Sequence, residues 1–204
     1  MEFDRAYWEE RYRDQHAAHH RAPNPQLVAE VGDLAPGTAL DAGCGEGADA
    51  IWLAARGWRV TAVDVAAGAL RHAHEQAATR GPEVAGRIDW ARADLARWRP
   101  TEGHFDLVTS HYVHGAGDDL VDRLAAAVAP GGTLLVVGHD PSDPHTAAAG
   151  APAAAHVTAA QLAAGLDPGR WEIVVAETRS RSVTGPDGRR RTLHDAVLRA
   201  RRRG

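Results

Sequence analysis

Three glycines at alternate positions, Gly43, Gly45 and Gly47, follow Asp41 at the end of a short apolar run. Glycine at every second position lets a backbone pass close to a ligand and supplies the positive φ angles such a turn needs. The helix that opens at Ala48 points its free amides at whatever sits above the turn. Asp41 adds a fixed negative charge that a pyrophosphate would not welcome. A ligand with a positive centre and an amino-acid end would tolerate it.

Other groups with chemistry follow at strand ends. Asp64 closes the run Arg59–Asp64, and Asp94 follows Arg92-Ala93. Ligands of open α/β sheets bind outside the carboxyl ends of the strands, where both acids fall. Ser110, His111, Tyr112 and His114 follow a fourth apolar run, and His139 and Asp140 a fifth. A histidine here can remove a proton from an alcohol or amine acceptor. His111, His114 and His139 are the candidates.

Several chemistries are excluded or weakened. The chain has 204 residues, 23 arginines and no lysine, so neither a lysine Schiff base nor a phosphate-loop lysine exists. Cys44 is the sole cysteine and reads as a small filler behind the turn. His16, His19 and His20 lack a nearby carboxylate or cysteine to complete a metal site, so no metal is expected. A net charge of −4 argues against nucleic acid as the main partner. The arginines at 189–191 and 199–203 read as solvated charge. No apolar run approaches the ~20 residues that span a bilayer. Residues 1–13 are charged and aromatic rather than signal-like, so a cytoplasmic location is expected.

The elements that position these groups are legible as a rhythm. Strands are expected over Thr38–Ala42, Arg59–Asp64, Ile88–Ala93, Phe105–Ser110 and Thr133–Val137, with a turn at Pro130-Gly131-Gly132. Helices are expected over Ala48–Arg56, Ala67–Thr79 and Asp118–Val128. Short apolar strands alternating with amphipathic helices imply a doubly wound parallel sheet. Phe3, Tyr7, Trp8, Arg11 and Tyr12 fall at helical spacing, and Pro25 suits the first turn of another helix. His16–Pro25 and the alanine-rich Pro141–His156 read as loops, and Thr158 caps a helix over Ala159–Ala164. Trp171–Ser182 and Arg191–Arg199 flank the turn Gly185-Pro186-Asp187-Gly188, so they pair antiparallel as a hairpin at one edge. The expected fold class is α/β, a mostly parallel seven-stranded sheet in one domain, with residues 1–36 as a helical lid and 37–204 as the Rossmann-like core.

The whole chain resembles the class I S-adenosylmethionine-dependent methyltransferases. Asp41-Ala42-Gly43-Cys44-Gly45-Glu46-Gly47 is similar to their first motif, and Pro130-Gly131-Gly132 to the turn before their fifth strand. Tyr7-Trp8-Glu9-Glu10-Arg11-Tyr12 and the lack of inserts resemble the small tellurite-resistance and thiopurine-type members. The resemblance implies that Asp64, with Val65, takes the ribose hydroxyls and that Asp94, with Leu95, takes the adenine. It further implies that Ser110 and His111 lie near methyl donor and acceptor, and that Tyr12 and Trp8 belong to a lid. The expected activity is in-line methyl transfer to a small-molecule acceptor, leaving S-adenosylhomocysteine. Two alternatives stay open. Gly43, Gly45 and Ala48 also fit the G-x-G-x-x-A dinucleotide fingerprint of a nicotinamide oxidoreductase. A protein that binds S-adenosylmethionine without methyl transfer is the other. Oligomeric state is not legible.

Overall fold

The computed structural model describes residues 4–12, 22–144, 155–184 and 188–204. Seven strands form one sheet: β1 Thr38–Ala42, β2 Arg59–Asp64, β3 Ile88–Arg92, β4 Phe105–His111, β5 Val128–His139, β6 Trp171–Thr184 and β7 Arg190–Arg202. Their order is β3-β2-β1-β4-β5-β7-β6. The first five run parallel, and β7 enters antiparallel between β5 and β6. The doubly wound sheet with a C-terminal hairpin is as expected.

Among the described residues, seven helices surround it: α1 Arg5–Arg11, α2 Pro25–Val31, α3 Ala48–Ala55, α4 Ala67–Ala78, α5 Pro82–Ala85, α6 Leu120–Ala127 and α7 Ala159–Ala164. Asn24 caps α2 through its side chain, with Pro25 at the first helical position. Thr158 and Gln161 form a reciprocal capping box on α7. The sequence reading missed α5, one turn opened by Pro82.

The period-2 alternation of the strands sends residues to two cores. Ala39, Val60, Leu107, Leu135 and Val197 pack with α2 and α3. Leu40, Val63, Val108, Leu134 and Leu198 pack with α6 and α7. This decides which face each strand-end residue serves.

Pro130-Gly131-Gly132 departs from expectation. It lies inside β5 as a bulge: Phe105 pairs with Val128, and the next partners are Leu107 and Thr133. Gly131 takes φ +80°, and a Cβ on Gly132 would lie 2.9 Å from the carbonyl oxygens of Ala129 and Asp106. The hairpin strands also run longer than expected, pairing from Trp171–Arg202 to Thr184–Arg190. His16, His19 and His20, residues 145–154 of the alanine-rich loop and residues 185–187 of the hairpin turn lie outside the described residues. Among the described residues, no helix is long and apolar enough to cross a membrane.

Candidate functional site

The glycine turn joins β1 to α3. The N–H groups of Gly43 and Cys44 both donate to Val63 O, at 2.8 and 3.0 Å, which ties the turn to β2. Gly43 has φ +83°, and a Cβ there would lie 2.3 Å from Val113 Cγ2. Gly45 has φ +52°, and its Cβ would lie 3.1 Å from the Tyr12 hydroxyl. Close approach from above is therefore built into the turn. Gly47, at φ +78°, starts α3.

Asp64 organises the turn. Its Oδ2 accepts the Gly45 N–H and its Oδ1 the Ala66 N–H, both at 2.9 Å. Burial pushes its carboxyl up, while those N–H groups pull it down. A carboxylate offers about four lone-pair positions. With backbone N–H groups of Gly45, Ala66 and Val65 on it, the carboxylate still keeps acceptor capacity.

Beneath the turn lies a charged cluster. Asp41 is 2% exposed, and its Oδ2 has no hydrogen-bond partner. Burial first, then the charge of Asp49, push its carboxyl up to about 7, with His111 opposing. Asp41 pairs in register with Thr109, and His111 follows two residues later on the same face. His111 Nδ1 lies 2.7 Å from Asp49 Oδ2, and Nε2 lies 2.7 Å from Thr109 Oγ1. Asp49 Oδ1 accepts the Asn24 N–H at 2.7 Å.

His111, expected near methyl donor and acceptor, contacts Asp49 and Thr109 in the folded chain. Both ring nitrogens are engaged, and strand alternation turns the ring toward α3, under the glycine turn. Ser110 points the other way and is 3% exposed. Sequence reasoning missed Asp49, although an aspartate in the first turn after a glycine motif is a usable signal.

A segment from the N-terminus covers the turn. Tyr12 lies over Gly45, and its carbonyl lies beside Gly68. Glu9 on α1 pairs with Arg92, whose Nε donates to Val65 O at 3.2 Å. Asp94 Oδ1 accepts the Ala96 N–H at 2.9 Å and its carbonyl accepts from Arg97 and Trp98, so this acid also builds its own turn. Leu95 is buried and lies 3.8 Å from where a Cβ on Gly43 would stand.

On the opposite face of the sheet a cavity of about 150 Å³ opens between Ser110, Val113, His114, Val121, His156 and Leu162. Val113 is common to this cavity and to the wall beside Gly43. The rings of His114 and His139 stack at 5.6 Å, and those of His139 and Tyr112 at 4.6 Å. Burial, then His139 and His156, push the His114 imidazole down to about 4. Burial also lowers His139, whose Nδ1 is enclosed without a hydrogen-bond partner. Tyr112 carries φ +53°, uncommon for a non-glycine residue. Its hydroxyl donates to Asp195 Oδ1 at 2.8 Å, and Arg181 Nε donates to Asp195 Oδ2 at 2.7 Å. Asp140 turns out to cap its own loop, accepting from Ser142 and Thr178.

Residues 39–132 match a family described as a methyltransferase domain. This stretch of the chain is similar to methyltransferase domains, and the seven-stranded sheet is shared with Rossmann-like methyltransferases of known structure. Among curated relatives, trans-aconitate 2-methyltransferase of Paracidovorax citrulli is 37% identical over 120 residues, which is 56% of this chain and 43% of that protein. Ribosomal RNA small subunit methyltransferase C of Alcanivorax borkumensis is 36% identical over 110 residues, 50% of this chain and 32% of that one. The chain thus spans a third to a half of the length of the curated relatives it matches. Among solved structures, one described as the conversion of a disulfide bond into a thioacetal group during echinomycin biosynthesis superposes with a TM-score of 0.75 at 25% identity, covering 97% of this chain and 92% of that one. TehB from Haemophilus influenzae superposes at 0.69 with 18% identity, covering 95% and 66%.

The residues around the glycine turn fit S-adenosylmethionine, the cofactor that the resemblance implies. The turn leaves a cradle that a Cβ at Gly43 or Gly45 would crowd. Asp64 keeps acceptor capacity, and the acidic side chains of Asp41 and Asp64 suit a cationic ligand better than a pyrophosphate. A larger depression of about 380 Å³ lies at the other end of β5, around Pro130, Glu172 and Arg201, away from these groups. Among the described residues, no cluster of three or more His, Cys, Asp or Glu is arranged to hold a metal.

Proposed function

We propose that this protein transfers the methyl group of S-adenosylmethionine to a small-molecule acceptor held in the cavity beside Val113. One observation carries the reading. Asp64 is wired by both oxygens into the glycine turn, and that turn shares Val113 with a largely apolar cavity on the far side.

Bound in the turn, S-adenosylmethionine supplies a methyl group on a positively charged sulfur and needs no further activation. The chain's own work is then alignment and exclusion of water. Asp64 accepts the ribose hydroxyls on its open lone pairs, and Asp94 and Leu95 bound the adenine side. Tyr12 covers the turn. Ser110 and His114 orient the acceptor in the cavity. With its imidazole at about 4, His114 is neutral at physiological pH and accepts a hydrogen bond from the acceptor rather than keeping its proton. His139 lies behind it in the stack.

A small acceptor accords with the net charge of −4 and with relatives whose names give trans-aconitate and 2-heptyl-1-hydroxyquinolin-4(1H)-one as acceptors. The reading takes residues 1–204 as one cytoplasmic enzyme domain, with 1–36 as its lid. Calorimetric titration with S-adenosylhomocysteine, with NAD in parallel, tests the cofactor. Micromolar binding of the first alone supports the proposal, and binding of NAD alone overturns it. Labelled methyl transfer to a panel of thiols, phenols, amines and carboxylates then identifies the acceptor. Affinity without transfer across that panel would leave a binding protein instead.

A further inference from the structure

Three carboxylates converge beneath the glycine turn, with one imidazole among them. Asp41 comes from β1, Asp49 from the first turn of α3 and Asp64 from β2, while His111 comes from β4 and the Cys44 thiol faces the group from the turn. Asp41 is the enclosed member. Its carboxylate takes the Ala50 N–H, while Oδ2 has no partner. A bare buried carboxylate oxygen is costly, and like charges nearby add to the cost. Asp49 cannot turn away to relieve this. One of its oxygens is held by the Asn24 N–H and the other by the His111 ring.

We infer that Asp49 is a positioning residue of the donor site: fixed between Asn24 and His111, it keeps a proton on Asp41 until a cationic ligand over the turn displaces that proton to solvent. The inference rests on the reading of the glycine turn as the donor site. The Asp41 O–H bond breaks, the proton goes to the buffer, and the ligand's positive charge takes its place. With the Asp41 carboxyl near 7, about half the ligand-free molecules carry the proton at neutral pH. Burial first, then Asp49 and more weakly Asp64, favour the protonated form, and His111 opposes it.

The consequence is a distinction between donor and product. S-adenosylmethionine carries one positive charge more than S-adenosylhomocysteine, at the sulfur. The donor therefore expels the proton more completely. Loss of the sulfonium charge on transfer lets Asp41 take a proton back, which loosens the product.

Calorimetry on the full chain in two buffers of different ionisation enthalpy reads the proton directly. At pH 7 about half a proton should leave per S-adenosylmethionine, and less per S-adenosylhomocysteine. Donor affinity should weaken by up to about tenfold from pH 8 to pH 6, more steeply than product affinity. Asp49→Asn keeps an oxygen for Asn24 but removes the charge, so its acid weakening should move to lower pH. A merely structural Asp49 would leave that profile where it was. Asp41→Asn should abolish the proton release, and release that survives it overturns the inference. Equal heats in both buffers and a flat pH profile in the wild type also overturn it, and do so even if Asp49→Asn fails to fold. Absence of binding by either ligand removes the donor-site reading itself, and this inference with it.

Discussion

Glu9 and Arg92, 83 residues apart in the chain, meet at the end of β3 and tie α1 to the sheet near the glycine turn. No residue of α1 is fully buried, and Tyr7, Trp8 and Glu9 are half-buried. Half-exposed pairs of this kind contribute roughly 0–1 kcal/mol. Glu9→Gln should therefore weaken S-adenosylhomocysteine binding by about two- to fivefold. The difference from wild type should shrink in 0.5 M salt, about where the screening length falls to a few ångströms. Unchanged affinity at low salt would mean that α1 does not cap the ligand.

On the proposed reading Asp64 serves both the turn and the ligand, and one substitution should cost both. Asp64→Ala removes charge-assisted bonds that contribute ~1.5–3 kcal/mol, so donor affinity should fall by tenfold or more. It also leaves the Gly45 and Ala66 N–H groups without their acceptor. The melting temperature should therefore fall with the affinity. A variant that keeps wild-type affinity would refute the ribose role.

How far the sequence disclosed this site depends on the range of the signal. Strand alternation and the glycine spacing are local, and they placed Gly43, Gly45, Gly47 and Asp64 where the structure has them. Period-2 alternation also separates Ser110 from His111, but which face carries which chemistry depends on where α3 packs. That is a tertiary fact, and the sequence reading put both residues near donor and acceptor alike. Asp49 gains its meaning from Asn24, 25 residues earlier, and from His111, 62 residues later. The Gln26–Asp195 contact spans 169 residues. The bulge at Pro130–Gly132 read as a turn because glycine and proline mark both.

His111 and His114 should now give opposite phenotypes. His111→Asn alters the cluster under the turn, so donor binding should change while the KM for an acceptor holds. His114→Gln keeps a polar group in the cavity but changes its shape, so acceptor KM should rise several-fold with donor affinity within about twofold of wild type. With its imidazole at about 4, His114 should produce no inflection in kcat between pH 6 and 8. Loss of donor binding in His114→Gln would move that residue to the donor side.

Asp195 is fully buried and holds Tyr112, Arg181 and Gln26 together. Removing one partner of a buried pair costs about 3–5 kcal/mol because it strands the other charge. Asp195→Ala should therefore lower the melting temperature by roughly 10 °C, given ~2–4 °C per kcal/mol for a chain of this size. Asp195→Asn, which keeps an acceptor for the Tyr112 hydroxyl, should lose less. A melting temperature within 2 °C of wild type for the alanine variant would show that Arg181 finds water instead.

Asp41 places a pH-dependent strain under the turn, and its sign follows from linkage. Its carboxyl lies at about 7 in the folded chain, against an ordinary value of 3.8. The folded state thus holds the proton more tightly than the unfolded chain does. The contribution to stability is fully present below pH ~4 and is lost as pH rises toward 7. Asp41→Asn cannot ionise, so it should melt a few degrees above the wild type at pH 8 and lose most of that advantage at pH 5. Donor affinity should fall in the same variant, because the negative charge beneath the turn is gone. Stability and binding would then be opposed at one residue. A variant less stable than wild type at pH 8 would mean that the Asp41 carboxylate is favourably solvated in the fold, and the strain argument would fail.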